Sequence, residues 1–297
     1  MTYSVVAQDP ITGRLGVAVQ SCVFAVGTRV PFARAGVGAV AVQAASEITW
    51  GPVALDLLES GLGAQKVIDA LVDLGQDSGT QFAVVDSRGG VAAFTSPMAT
   101  SQAGHATGEH VSCQAHLMER DTVWDAMLTA YSRTSGALED RLLASLQAAE
   151  SEGGDARGRQ SASLLIVSGV VGEVRNGNAN DPVTDIRVDD HPDPVAELAR
   201  LLTVKRAHDR LIGLAEIEGA EARVVEAVAA VREAPDDPLC QWVAIRHLAT
   251  TGRTVEAARL LRTATDRDSR TPRRLAIFAA SLAPTEAARV QAVLDLA

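Results

Sequence analysis

At 297 residues, the chain is long enough for one large hydrophobic core or two modest ones. Hydrophobic residues make up 47% and charged residues 22%, which excludes a disordered chain and indicates a soluble globular protein. The net charge of -10 argues against a general nucleic-acid or lipid-surface binder. No stretch has the pattern of a signal peptide or a membrane span, and the three scattered cysteines contain no CxxC pair, so we expect a cytoplasmic protein.

The N-terminus is predicted to form a β-hairpin that starts almost at the first residue. Residues 3–8 (YSVVAQ) and 14–21 (RLGVAVQS) are apolar and β-branched, as is typical of strands. The intervening DPITG supplies the Asp, Pro and Gly that turns favour. A strand that begins at the very terminus raises the question of why Thr2 is placed there.

Hairpins and helix pairs alternate along the next 180 or so residues, by the periodicity of apolar positions. The strand at 36–44 is apolar throughout, which predicts a sheet covered on both faces. Asp193 and Pro194 are suited to the start of a helix. The other predictions are a helical segment at 52–74 broken at Gly61–Gly63, a hairpin of 81–86 and 90–96, strands at 110–117, 161–169 and 185–190, and helices at 120–132 and 137–151.

Helical periodicity dominates after about residue 205, and within 241–269 the small and apolar residues have offsets that resemble a tetratricopeptide repeat. These residues are Leu248, Gly252, Ala257, Leu261 and Ala264. We therefore predict an α+β domain at 1–203 and an all-α, tetratricopeptide-like extension at 204–297. Hairpins imply antiparallel sheets, and sheets covered on both faces favour four αββα layers.

Several strings resemble a prokaryotic family, domain of unknown function 1028, across residues 2–203. They are SVVAQDPITGRLGVAVQSCVFAVG, AGVGAVAVQA, GGDARGRQSASLLIV and DIRVDDHPDPVAELARLL. The resemblance implies the four-layer αββα fold of the N-terminal-nucleophile (Ntn) hydrolases. In that superfamily a Thr, Ser or Cys at the processed N-terminus hydrolyses an amide, although some members are thought to lack catalysis.

Thr2 is the candidate nucleophile if Met1 is removed, as a small second residue generally permits. A threonine hydroxyl needs a base within hydrogen-bonding reach. A free α-amine has a pKa of roughly 7.7–8.0, so the amine of Thr2 itself meets that need. The alternative is a structural role, in which Thr2 only begins a strand, as β-branched residues often do.

Four further residues are candidates for the catalytic site. Ser21 ends the second strand after Gln20, where proteasome-like relatives have an acidic residue; those relatives also use a lysine, and no lysine precedes Lys66 here. Gln43 ends the third strand and is a candidate oxyanion donor or a structural amide. His116 follows Ala115 where the family tends to show Gly-Asn, so it donates in place of the asparagine or marks an altered site. The remaining candidate, Asp155, lies in the GGDARGRQSAS loop and is expected to orient an arginine or the terminal amine.

The same loop supplies the candidate substrate-binding residues Arg159, Gln160 and Ser161, with Arg159 expected to grip a carboxylate. A solvated turn with an internal Asp–Arg pair is the alternative interpretation. His105 and His110 lie five residues apart in an expected loop, with Glu109 beside the second histidine. No further ligand is apparent, so we predict no metal site and no cofactor. Cys22 is expected to be a small buried hydrophobe.

Two functions stay open on the sequence alone. The first is an amidohydrolase that acts on a small acyl amide, with Thr2 as its nucleophile. The second is a non-catalytic binding or assembly protein on the same scaffold, with the helical extension as a docking module. We expect a homo-oligomer in either case, with no nucleic-acid or membrane partner.

Overall fold

The computed structural model describes residues 2–45, 49–74, 79–99, 102–175, 178–179 and 182–297. Within these residues the chain is mixed α/β, with two larger antiparallel sheets, a two-stranded ribbon and ten α-helices. It divides into two units, Met1–Ala199 and Arg200–Ala297. This division and the predicted boundary at 203/204 both fall within one helix, α5 (Pro194–Gly213).

The larger sheet is antiparallel and has six strands in the order β12-β9-β2-β1-β8-β7. The predicted N-terminal hairpin is confirmed, since β1 and β2 pair from Tyr3–Gln20 to Gln8–Leu15. Its turn is closed by Asp9, whose carboxylate accepts the backbone N–H of Thr12 at 3.3 Å. The strands are β1 (Thr2–Gln8), β2 (Leu15–Ser21), β7 (Gly104–Gly108), β8 (Val111–His116), β9 (Ser161–Val167) and β12 (Thr184–Val188).

The second sheet has four antiparallel strands in chain order and packs face to face against the first. Alternate residues of its central strand explain this packing: Ala39 and Ala41 join the core between the sheets, whereas Val40 and Val42 face helices. The strands are β3 (Pro31–Arg34), β4 (Gly38–Ala44), β5 (Thr80–Asp86) and β6 (Val91–Thr95). A separate two-stranded ribbon consists of β10 (Val174–Arg175) and β11 (Asn178–Ala179).

A pair of helices covers the outer face of each sheet, as the buried apolar residues on both sides of the strands require. The helices α1 (Trp50–Glu59) and α2 (Ala64–Asp73) pack on the four-stranded sheet, and Gly61, at φ +100°, lies in the predicted break between them. The helices α3 (Val123–Arg133) and α4 (Leu138–Ser151) pack on the six-stranded sheet.

The C-terminal unit is helical, as predicted. It contains α6 (Ala220–Glu233), α7 (Pro238–Thr250), α8 (Thr254–Arg267), α9 (Thr271–Ala279) and α10 (Pro284–Leu296), each packed on the next. Four of the five repeat-like residues are buried, and Gly252 takes φ +82° between α7 and α8. The tetratricopeptide-like assignment stays a prediction. Among the described helices, none combines the length and the apolar composition that crossing a bilayer requires.

Four strands were not predicted from the sequence: the short ribbon strands β10 and β11, and the two edge strands β7 and β3. Residues 104–108, expected to be a loop, form the edge strand β7, in which His105 Nδ1 lies 2.8 Å from the hydroxyl of Thr95. The sequence pattern missed β3 because it starts with Pro31 and ends with Arg34, both of which are tolerated mainly at sheet edges. Asp193 caps α5 as predicted, since its carboxylate accepts the N–H of Ala196 at 3.3 Å.

Gly51 provides a test of the packing of α1 on the four-stranded sheet. A Cβ at this position would lie 2.2–2.5 Å from ring atoms of Phe32. We expect Gly51→Ala to lower the free energy of unfolding by roughly 1–3 kcal/mol, despite the higher helix propensity of alanine. Urea denaturation measures the change. The control Gly213→Ala, where nothing lies within 4 Å, is expected to leave stability unchanged or slightly raised; equal effects of the two changes would contradict the close packing.

Candidate functional site

Thr2 lies at one end of β1 between side chains from both neighbouring strands. Its Oγ1 donates a hydrogen bond to Oγ of Ser21 on β2 at 3.1 Å, and its Cα is opposite that of His116 on β8. Directly opposite residues project to the same face of a sheet. Thr2, Ser21 and His116 therefore form one row, hereafter the Thr2 row, and all three side chains are buried.

The Thr2 row faces the four-stranded sheet. Ser4, two residues along and therefore on the same face as Thr2, donates to Oε1 of Gln43 on β4 at 2.6 Å. Gln43 in turn donates from Nε2 to the carbonyl oxygen of Thr2 at 3.3 Å. The structure thus brings the predicted site residues Thr2, Ser21, Gln43 and His116 to the same end of the space between the sheets.

Beside this row, buried amides connect the two sheets, and we call Ser4, Gln43, Gln81 and Gln114 the inter-sheet amide network. Gln43 Nε2 donates to Oε1 of Gln81 at 2.6 Å, and Gln114 Nε2 donates to Ser4 at 2.6 Å. Gln81 Nε2 lies 3.0 and 3.1 Å from the carbonyl oxygens of Gly104 and Ala115. Buried polar groups that are hydrogen-bonded in this way fix their side chains in one arrangement.

Asp155 holds the glycine-rich loop against the end of β2. Its carboxylate accepts the N–H of Cys22 at 3.2 Å and the N–H of Arg157 at 2.9 Å. The guanidinium of Arg157 lies 3.5 Å from the same carboxylate. The expected Asp–Arg pair within the loop is therefore present, and its arginine is Arg157 rather than Arg159. Gly153 and Gly154 take φ values of +105° and +63°, which explains the two glycines before the aspartate.

Gln160 and Ser161 have structural partners. The N–H of Gln160 donates to the carbonyl of Ser21 at 3.1 Å, and its side chain donates to Asp190 at 3.2 Å. The hydroxyl of Ser161 donates to the carbonyl of Val23 at 2.6 Å and accepts the N–H of Val26 at 3.0 Å. Both residues thus anchor the segment that follows Ser21.

Arg159 lies on the helix-facing side of the six-stranded sheet. Its guanidinium pairs with Glu150 of α4, which also accepts the hydroxyl of Tyr3, and Asp193 lies 3.9 Å away. Tyr3 follows Thr2 in β1 and therefore points to the opposite face. Burial, with the nearby Glu150, raises the pKa of Tyr3, and burial also raises the pKa of Glu150. The amide of Gln20, the neighbour of Tyr3 on β2, has no hydrogen-bond partner within the described part of the chain.

Burial determines the electrostatics around Thr2. It lowers the pKa of His116 to about 3, with a further contribution from the positive Arg157, so the imidazole is neutral at physiological pH. The Nδ1 atom of His116 is buried and finds no hydrogen-bond partner among the described residues. Burial and Asp155 raise the pKa of Cys22, which opposes formation of a thiolate there.

The sequence interpretation missed Ser4, Gln81, Gln114 and Arg157. One signal was available for the glutamines: each borders a run of apolar or small residues within its strand, as Gln43 does. Arg157 has no such signal, because only the path of the loop decides which of its two arginines faces the Thr2 row.

Comparison with known proteins gives the family. The model of a family of unknown function, DUF1028, matches residues 2–198. The chain belongs to this family. A crystal structure of a DUF1028 protein from Silicibacter pomeroyi is similar to it, with 29% sequence identity and a TM-score of 0.59. That similarity covers 68% of this chain and 87% of the other. No curated protein shows significant similarity to this chain.

Gln81 provides a test of the inter-sheet amide network. Gln81→Leu removes the hydrogen bonds that the Gln81 side chain makes with the amide of Gln43 and with the carbonyl oxygens of Gly104 and Ala115. Because each unsatisfied buried group costs about 1–3 kcal/mol, we expect the free energy of unfolding to fall by at least that amount. Urea denaturation measures it. The matched control is Gln65→Leu, whose exposed amide donates to Asp69 of the same helix; a similar loss in both variants would contradict the role of the network.

Proposed function

We propose that the protein is an amidohydrolase that cleaves a small acyl amide, with Thr2 as an N-terminal nucleophile after removal of Met1. Met1 lies outside the described residues. The hydrogen bond from Thr2 Oγ1 to Ser21 Oγ carries the proposal, because it orients the hydroxyl of the first residue of a central strand. The two sheets between helix pairs support the finer assignment to the Ntn-hydrolase-like fold.

In the proposed reaction, Thr2 Oγ1 attacks the acyl carbon of the amide and its proton passes to the α-amine of the same residue, directly or through one water. Collapse of the tetrahedral intermediate breaks the C–N bond, and the protonated α-amine returns a proton to the leaving amine. Water then attacks the ester on Thr2 with the same amine as base. This step releases the acid and restores the hydroxyl.

The surrounding groups suit different roles in this reaction. His116 is neutral, and its unpartnered buried Nδ1 makes it the preferred donor to the oxyanion. The amide of Gln43 is already bonded to Gln81 and to the carbonyl of Thr2, which supports a positioning role for it. Asp155 positions the loop after Ser21 and holds Arg157.

A carboxylate on the substrate is best matched by Arg157. Arg159, the arginine preferred on the sequence, is paired with Glu150 on the other side of the sheet, so binding a substrate there requires that pair to open. Arg157 pairs with the carboxylate of Asp155, and its positive charge helps to lower the pKa of His116. Gln160 and Ser161 hydrogen-bond to the backbone of the segment that starts at Ser21. They therefore support the loop and do not bind the substrate directly.

A specific observation favours the second candidate, a binding or assembly protein on the same scaffold. Thr2 is only 6% exposed in the unprocessed chain, as suits a strand residue with a structural role. The pairing of Arg159 with Glu150 likewise suits a static scaffold. In this case the helical unit provides the docking surface.

A β-lactone probe distinguishes the two candidates. We expect intact-mass spectrometry to show protein without Met1, and the lactone to acylate Thr2 with a single added mass. Thr2→Ala is expected to lose the adduct, because alanine also permits removal of Met1 but has no hydroxyl. Thr2→Ser is expected to keep it.

The control is Thr28→Ala, a change at an exposed threonine remote in sequence that should leave labelling unchanged. Retention of Met1 in the purified protein, or equal labelling of Thr2→Ala and the wild type, would falsify the hydrolase and favour the scaffold.

The pH dependence of labelling identifies the base. Because the neutral amine is the active form, the rate is expected to rise with pH through the amine pKa of roughly 7.7–8.0. His116, with a pKa of about 3, stays neutral over this range and cannot produce the rise. His116→Gln should therefore lower the plateau rate but keep the rise and its midpoint; loss of the rise would assign the base to the histidine.

A further inference from the structure

Three potential metal ligands converge within the C-terminal unit, whereas the Thr2 row belongs to the N-terminal unit. His208 lies on α5, and Asp237 and Cys240 lie at the start of α7. One donor atom from each, a nitrogen, an oxygen and a sulfur, lies within 4.8 Å of the others. Within the described ranges no other group of three such residues meets this condition.

Local structure explains how these atoms come together. Asp237 is the N-cap of α7, and its Oδ1 accepts the N–H of Cys240 at 2.9 Å. This bond directs the other oxygen, Oδ2, towards His208, whose Nε2 lies 3.0 Å away. Cys240 is fully buried in an apolar cluster with Ala207, the neighbour of His208. Helix capping and core packing therefore hold all three groups without a ligand.

An ion pair between His208 and Asp237 accounts for only two of the three groups, and its geometry is not that of a hydrogen bond. Although their atoms are 3.0 Å apart, Nε2 of His208 is buried and makes no hydrogen bond of acceptable geometry with any described residue. The sulfur of Cys240 lies within 4.8 Å of both atoms, a spacing that approaches the distance between donor atoms around one metal ion.

We propose that His208, Asp237 and Cys240 bind a divalent transition-metal ion of the zinc class. Nitrogen, oxygen and thiolate sulfur together favour such an ion over Mg²⁺ or Ca²⁺, which prefer oxygen alone. Tetrahedral bonds of about 2.0–2.3 Å place ligand atoms roughly 3.3–3.7 Å apart, so small rotamer changes close the site. Of the three residues, Asp237 also borders a surface cavity of about 450 Å³, and we expect a water from that side as the fourth ligand.

Binding has a defined balance of charge. The thiol of Cys240 loses its proton to solvent, and the resulting thiolate and the carboxylate of Asp237 neutralise the two positive charges. The ion then links α5 to the N-terminus of α7. Since the metal binds the folded unit preferentially, it stabilises that unit against unfolding.

Cobalt titration of the full-length protein tests the proposal, because thiolate–Co²⁺ bonds give a near-ultraviolet charge-transfer band. We expect one equivalent of Co²⁺ to produce the band, Zn²⁺ to displace it and a chelator to abolish it. Cys240→Ser should remove the band. The matched controls Cys22→Ser and Cys113→Ser should keep it, and Cys22 matters most because its thiol is partly exposed.

Two further variants keep the test valid if Cys240→Ser fails to fold. His208→Gln changes a partly exposed side chain, and Asp237→Asn keeps an N-cap of similar quality while removing the charge. Each is expected to weaken Zn²⁺ binding, measured by competition with a chromophoric chelator, at least about 10-fold. No band in the wild type, or affinity unchanged in both variants, would overturn the site; loss of the band in Cys22→Ser alone would assign the metal to that thiol.

Discussion

β1 lies between β2 and β8, so both edges of the first strand are used by ladder hydrogen bonds. Every residue of the strand is buried. Backbone groups in such a position must be paired within the sheet, because water cannot reach them. The start of the chain is thereby held at a defined point of the scaffold, and the side chains opposite Thr2 follow from strand register alone.

The space between the sheets changes character along the strands. Its middle is apolar, with Val6, Val17 and Ala41 among the residues packed there. Towards Thr2 it becomes polar, because Gln43 and Gln81 occupy positions that face the other sheet. Buried amides are costly unless they are bonded, so this end tolerates only side chains whose hydrogen bonds fit one another. The same requirement gives Thr2, Ser21 and Gln43 their fixed geometry.

Charge is divided between the two faces of the six-stranded sheet. On the helix side, Glu150 accepts a hydrogen bond from Tyr3 and forms an ion pair with Arg159, and burial raises the pKa of Glu150. On the side of the Thr2 row, the charged groups are Asp155 and Arg157, and the histidine is neutral. The proposed chemistry therefore depends on the terminal amine for its base, since burial excludes a protonatable imidazole near neutral pH.

Periodicity and turn residues were sufficient to predict the hairpins, most helices and the change to an all-α region, because these signals are local. The edge strands β3 and β7 were not predicted, because residues at a sheet edge need not follow the apolar pattern of a buried strand. The role expected for Arg159 also illustrates the limit: two arginines separated by one residue are equivalent in sequence.

By itself, the sequence determined that a β-branched strand starts at Thr2 and that a glycine-rich loop carries Asp155. Only the tertiary structure decided that Ser21, His116 and Gln43 surround Thr2, that Arg159 turns away to Glu150, and that His208 meets Asp237 and Cys240. The physical reason is that strand register, helix packing and loop path join residues distant along the chain, and no local preference encodes those distances.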